Sequence, residues 1–436
     1  MPLPAPAGLT ANRRTVLKSV LAVAGLAAAP GFAACASTSS TGGKDTVTFG
    51  SNAAVPEPKG AYEILFSHVH QALGLNIAVN WVDHNTFQDN ITTYLQGAPQ
   101  DVFNWFSGER MRFFAAQGLV SDVDAVWKVI GGHYTQAMKN VSVYRGHYYF
   151  VPFDYYPWAV FYKKSLFTAK GYQAPVTWDD FIALARKMKK DGMAHPIAFT
   201  DKDGWPAMGT FDYLNMRMNG YQFHEALMAG TESWTDPRVK DVFTQWMELF
   251  PYYSAGALGL TWQEGVQQLQ SGQAAMMVLG LDQIGTMFTG ASAADLDFFA
   301  FPEINPAYGQ DAVEAPIDGF MVSRHPRNPA AADKLLEYLG TAKAQQVWLG
   351  SNPADIATAQ GVDTAKYTTV QTKAMTFINQ AKYLSQFMDR DTRPDFADPV
   401  MLPAIQHFLN FTSASGIPSF LASIQKQKEQ IWSTAG

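Results

Sequence analysis

The sequence predicts an α/β protein in which helices cover a parallel sheet. Short apolar runs of strand character alternate with helix-period segments across short links, the pattern of strand–helix–strand units. Helix starts carry Thr, Asp or Asn caps, some followed by proline at the first helical position. The chain has 436 residues, 47% hydrophobic and 16% charged, a composition suited to two globular domains with substantial cores. Its aromatic content is 13%, with 11 Trp, which suits either a large core or a surface that grips flat ligands.

The first 34 residues read as a processing segment, outside the fold. NRRTVLK carries Arg13 and Arg14, the paired arginines of a twin-arginine export signal. The following run of residues 19–34 is too short and too rich in Ala and Gly for a membrane span. Small residues then precede Cys35 as in a bacterial lipoprotein signal, with Cys35 the lipidated first residue and 35–45 a flexible tether. Phe32 stands where such signals usually have Leu, and an ordinary signal peptide with an incidental Cys35 is the competing reading. Cys35 is the only cysteine, so no intrachain disulfide forms. Without residues 1–34 the chain carries 29 basic and 38 acidic residues, which argues against a nucleic-acid partner.

The elements follow in order. TVTFGS is a strand and residues 60–73 a helix; residues 76–82 form a second strand and 86–96 a second helix. DVFNWF (101–106) is a third strand, leading to a helix near residues 109–117. Ligands of such sheets bind beyond the carboxyl ends of the strands, where Asn52, Trp105 and Phe106 fall. Further on, TWDD (177–180) and TWQE (261–264) are capping boxes. Asp236 and Asn328 each cap a helix ahead of a proline. Val239, Val242, Phe243, Trp246 and Leu249 form one apolar stripe.

VPFDYYPWAVFYKKSLF (151–167) crowds aromatic residues around one carboxylate, Asp154. A buried strand favours Val, Ile and Leu, and an unpaired buried acid is costly, so the stretch reads either as packing or as a binding surface, and the rest of the chain decides between them. With TWDDF, WTDPRVKDVFTQW, TWQEGVQQLQSGQAAMMVLG, FFAFPEI, APIDGFMVS and NPAAADKLLEYL following in that order, the chain resembles the carbohydrate-binding proteins of bacterial ABC importers, built like maltose-binding protein. QFMDRDTRPDFAD (386–398) looks characteristic of one sugar-binding subgroup.

The resemblance implies a type II periplasmic-binding-protein fold of two α/β lobes joined by hinge crossings. One lobe would hold residues 46–154 and 319–368, the other 155–318 and 369–436. It also implies a sugar in the interlobe cleft, delivery to ABC permease transmembrane subunits, a lipid anchor at the outer face of the cytoplasmic membrane, and a monomer. A pyranose offers an apolar face to aromatic rings and hydroxyls to planar polar groups.

The resemblance points to the following site residues, most of them with a competing structural reading. Asp154 and Tyr155 contact ligand or fix the hinge. Trp262 stacks on a sugar or staples its helix to the lobe surface. Asp318, Gly319 and Phe320 mark the return crossing, where Gly319 serves the site or a tight bend. Trp105, Phe106 and Glu109 follow a strand end, and Trp105 is equally a core residue. Trp205 lies on a loop, which carries function or covers a core. Arg390 reaches the ligand or joins an internal Asp–Arg network. Asn52 follows the first strand.

No cofactor or metal is expected. DKDGW begins like a calcium loop but lacks its later Gly and closing Glu, and His68 and His70 lie on different helix faces. No nucleophile motif or phosphate-cradling loop occurs, so an enzyme is not expected. A receptor for a polyol or glycerophosphodiester is the nearest rival, and a secreted carbohydrate-active enzyme or a surface adhesin the rivals of another class.

Overall fold

The computed structural model describes residues 43–433. Arg13, Arg14, Cys35 and most of the tether lie outside the described residues.

The chain builds two main sheets. The first runs Ile356–Ala357, Val151–Tyr155, Ile317–Ser323, Val102–Phe106, Thr46–Ser51 and Asn76–Trp81, with Val120–Ser121 attached to Ile317–Ser323. Thr46–Ser51 pairs parallel with both Asn76–Trp81 and Val102–Phe106, as strand–helix alternation requires. The expected parallel pairing holds for these three strands, and the sheet as a whole is mixed. Ile317–Ser323 enters antiparallel between Val102–Phe106 and Val151–Tyr155, because the chain comes back from the second sheet in the opposite direction. The second sheet runs Leu296–Phe299, Trp158–Lys163, Met276–Gly280 and Ile197–Ala198. Only Tyr156 and Pro157 separate the end of Val151–Tyr155 in one sheet from the start of Trp158–Lys163 in the other.

Helix ends follow local chemistry. The first helix spans Pro56–Leu73, four residues earlier than its periodicity shows, because the N–H groups of a first turn have no intrahelical acceptor and proline, lacking an N–H, is tolerated there. His84–Gln96 is capped by the Asp83 carboxylate, which accepts from the Thr86 amide. Trp262–Ser271 carries a complete capping box between Thr261 and Glu264, and Gly272 closes the helix in the left-handed region. Pro237–Trp246 buries Val239, Val242, Phe243 and Trp246 on one face, as the stripe predicts.

The chain end ties the two halves together. Ala312–Glu314 runs parallel to Tyr383–Ser385 beside the return crossing. The short turn Met388–Asp391 packs on both Glu109–Ala116 and Pro206–Asn219. Gly108 (φ 75°) sits directly under it, where a Cβ would lie 2.4 Å from the Arg390 carbonyl oxygen. The buried Arg110 pairs with Asp389 at 2.8 Å and Asp398 at 2.7 Å. Among the described residues no helix is long and apolar enough to cross a membrane.

Candidate functional site

A cavity of about 300 Å³ opens where the two halves face each other. From the first sheet and its helices it takes Asn52, Tyr62, His84, Asn85, Asn104, Phe153, Asp154, Asp318, Gly319, Trp348, Asn352 and Asp355; from the second, Asp203, Trp205, Trp262, Asp282, Gln283 and Thr286. Strand ends supply part of the polar wall. Asn52 follows Thr46–Ser51, and its amide N–H donates to Asn104 Oδ1 at 3.0 Å while the Asn104 amide donates back to Asn52 Oδ1. Asp282 follows the end of Met276–Gly280.

Four carboxyl groups define the electrostatics. Burial raises Asp154 well above the ordinary carboxylate range, and Asp355, Asp318 and Asp282 raise it further. Burial likewise raises Asp282, with Asp355 and Asp318 adding to it. Asp355 is pushed up to about 7 by burial, held back by the Trp348 indole N–H, which donates at 2.9 Å. Asp318 is raised by burial but opposed by Arg390, whose Nη1 lies 2.7 Å away. The His84 imidazole falls to about 4, chiefly through burial and then the nearby Arg390 charge. This wall is rich in acceptors and in protonatable acids.

Rings supply the remainder. Trp205 stands edge-on to Trp158 at 6.0 Å, and its indole Nε1–H finds no acceptor among the described residues. Trp262 is half-buried at the first turn of its helix, and its amide N–H donates to Asp203 Oδ2 at 3.2 Å. The Asn85 amide donates to Asp203 Oδ1 at 3.0 Å, a bond that crosses from one half to the other.

Of the residues singled out from sequence, the structure brings Asn52, Asp154, Trp205, Trp262, Asp318 and Gly319 into this wall. It places the others elsewhere. Trp105 is buried against Phe87, Phe106 and Phe114, and Phe320 against Phe49, Tyr62 and Phe153. Phe106 lies under the Arg390 guanidinium at 4.1 Å, and Glu109 pairs with Arg112 at 2.8 Å. Tyr155 is held in the first sheet opposite Ile317 and Ile356. Arg390 reaches Asp318 and the Tyr156 hydroxyl (3.3 Å), which places it behind the wall as part of an internal ion pair.

Sequence reasoning missed Asp282, Asp355, Asn104, Tyr62, His84 and Trp348. Asp282 was accessible through the strand-end rule that selected Asn52, and Asn104 as the polar residue at the centre of the apolar run VFNWF. Asp355, in SNPADIA, carries no local signal.

Two sheets joined by short crossings around a polar, ring-walled cavity define a two-lobe solute receptor of type II. The profile of the bacterial extracellular solute-binding protein family matches residues 67–346, and the chain belongs to that family. The family comprises solute-binding proteins, not enzymes. A crystal structure of the bacterial solute receptor AcbH, described as having an exclusive preference for β-D-galactopyranose, superposes with a TM-score of 0.87 at 46% identity, over 89% of this chain and 100% of that one. Maltose-bound MalE3 of T. maritima shares the fold, with a TM-score of 0.73 at 14% identity over 88% and 99% of the two chains. An uncharacterized ABC transporter extracellular-binding protein of Pyrococcus horikoshii is 28% identical over 258 residues, 58% of this chain. The match spans little more than half, 57%, of that relative's length.

Proposed function

We propose that this chain captures a single hexopyranose of the galactose class between its lobes and presents it to the membrane subunits of an ABC importer. The cavity carries the reading. Its volume of about 300 Å³ lies at the lower limit for small-molecule sites, about 300–1,000 Å³, which favours one sugar ring over a long oligosaccharide. Trp205 and Trp262 offer ring area to the C–H face, while Asp154, Asp282, Asp318 and Asp355 accept from hydroxyls. The 46%-identical receptor with its stated galactopyranose preference supports the same class.

An acidic wall disfavours the glycerophosphodiester alternative. The buried Arg390 already serves Asp318, and no Lys or Arg lines the cavity among the described residues. Contacts from both lobes exist together only in the closed form, so ligand selects closure about crossings near residues 154, 318 and 365–375. The same proposal includes twin-arginine export through Arg13 and Arg14, anchoring at Cys35, and action as a monomer.

Calorimetric titration with D-galactose, maltose and glycerophosphocholine tests the reading. Saturable binding of galactose, with little response to the other two, is the expected outcome. Binding of glycerophosphocholine alone, with affinity that drops steeply in salt, overturns it.

A further inference from the structure

A second polar cluster lies apart from the sugar cavity, inside the second lobe. It is assembled from three distant parts of the chain: Asp212 on Pro206–Asn219, His224 and Glu225 on Tyr221–Met228, and Asp391 at the end of Met388–Asp391. One ligand atom from each of His224, Glu225 and Asp391 lies within 4.8 Å of the other two. His224 Nε2 stands 3.9 Å from Asp212 Oδ1, and both side chains are fully buried. Glu314, at the end of Ala312–Glu314, is equally buried.

The unusual feature is how much of this cluster lacks a partner. Among the described residues nothing hydrogen-bonds to His224 Nε2, Asp212 Oδ1 or either carboxylate oxygen of Glu314, while the Tyr221 hydroxyl stands beside the Glu225 carboxylate. Buried polar groups are nearly always satisfied, and several convergent exceptions call for a group that joins them. Arg217, the buried cation on the same helix, is turned away, donating from Nε to the Phe301 carbonyl (3.1 Å) and from Nη1 to that of Ala312 (2.8 Å).

We propose that His224, Glu225 and Asp391, with Asp212 and Glu314 beside them, form a buried site for one divalent transition-metal ion, Mn²⁺ or Zn²⁺. One imidazole with several carboxylates suits such an ion better than Mg²⁺ or Ca²⁺, which favour all-oxygen sets. Three ligand atoms no more than 4.8 Å apart leave room for one ion between them at metal–ligand distances of roughly 2.0–2.4 Å. His224 Nδ1 faces the Asn215 amide at 3.2 Å. Asn215 Oδ1 accepts from the Asn219 amide at 2.9 Å; with both amides turned, the Asn215 oxygen meets Nδ1–H and Nε2 presents its lone pair to the ion. Glu225 and Asp391 are only half-buried, which leaves the ion a way in.

The site has a mechanical role. Asp391 Oδ2 accepts from Ser385 Oγ (2.7 Å) and from the amides of Gln386 (2.8 Å) and Phe387 (3.3 Å), and so organises the approach to the turn. Phe387 sits there at φ 125°, a conformation that costs a non-glycine residue energy. The same turn carries Arg390 to Asp318 in the sugar wall and Asp389 to Arg110 of the first lobe. An ion bound through Asp391 would hold this turn on the second lobe.

The test uses the purified chain stripped with EDTA and titrated separately with MnCl₂ and ZnCl₂, by calorimetry and by elemental analysis after dialysis. One equivalent of at least one ion should be retained, with a rise in Tm at saturation. Glu225→Gln and His224→Gln should each weaken binding at least about tenfold, while their Tm in EDTA stays near the parent value. If His224→Gln fails to fold, the half-buried Glu225→Gln decides alone. Asp282→Asn, in the sugar wall, should leave ion affinity unchanged. Absence of saturable binding with both ions overturns the proposal. Binding that survives Glu225→Gln, or is lost in Asp282→Asn, overturns it too.

Discussion

Trp246 and Trp262 are the same residue type with opposite surroundings. Trp246 is fully buried, packs on Phe243 and Phe408, and donates its indole N–H to the Tyr253 hydroxyl at 2.8 Å. Trp262 is half-buried on the cavity wall. Trp246→Ala should therefore cost about 3–5 kcal/mol in denaturant unfolding without ligand. Trp262→Ala should stay within about 1 kcal/mol of the parent yet weaken galactose binding by roughly 10-fold to 1000-fold in calorimetry. Asp355 yields a pH prediction. Its folded pKa of about 7 stands above the ordinary 3.8, through burial and the facing Asp318, against hydrogen bonds from Trp348 and Asn352. The folded chain then binds more protons than the unfolded chain in that window, so this contribution is full below about pH 4 and lost as pH rises through about 7. Tm of the ligand-free protein, scanned from pH 4 to 8, should fall more steeply for the parent than for Asp355→Asn. Parallel profiles would show that Asp355 ionises freely in the fold.

Elements were legible where the signal is local. The capping box of Thr261 and Glu264, the Asp236 and Asn328 caps and the apolar stripe of Pro237–Trp246 all depend on residues within a few positions of one another. Strand direction was not legible in that way. Ile317–Ser323 has the same apolar character as its neighbours, and only its return from the second sheet makes it antiparallel. Its register shifts between Asp318 and Gly319, where it meets Val151–Tyr155. A Cβ on Gly319 would stand 2.1 Å from the Val151 carbonyl oxygen and 2.7 Å from the Phe150 ring. Gly319→Ala must push these strands apart, at about 1–3 kcal/mol by the usual cost of overpacking. Urea unfolding measures it directly, and a variant as stable as the parent would mean the crossing yields easily.

At the scale of the molecule, the bond from Asn85 to Asp203 and the wall shared by both halves describe lobes brought together around a cavity. If closure is selected by ligand, small-angle scattering should give a smaller radius of gyration with saturating galactose than without it. Asn85→Ala should weaken binding by a few-fold, since it removes one bond made across the cleft. Identical scattering curves, for a ligand shown bound by calorimetry, would place closure outside the binding step. Affinity should change little between low and moderate salt, because a neutral sugar displaces no counterions.

The sequence by itself determined the class of fold, the order of its elements and the chemistry available to a site, because caps, periodicity and motif order act over short distances. It also singled out half of the wall residues it proposed, those that stand where chain segments end or cross. Only the tertiary structure decided which rings face the cavity and which form core. Trp105 and Trp205 both looked eligible, and packing alone sent the first inward against Phe87 and Phe114 and left the second on the wall. It alone gathered Asp154, Asp282, Asp318 and Asp355 around one space, and brought His224, Glu225 and Asp391 within 4.8 Å of one another with Asp212 beside His224. Each group joins positions many residues apart, and no local signal records the long-range closure that makes them neighbours.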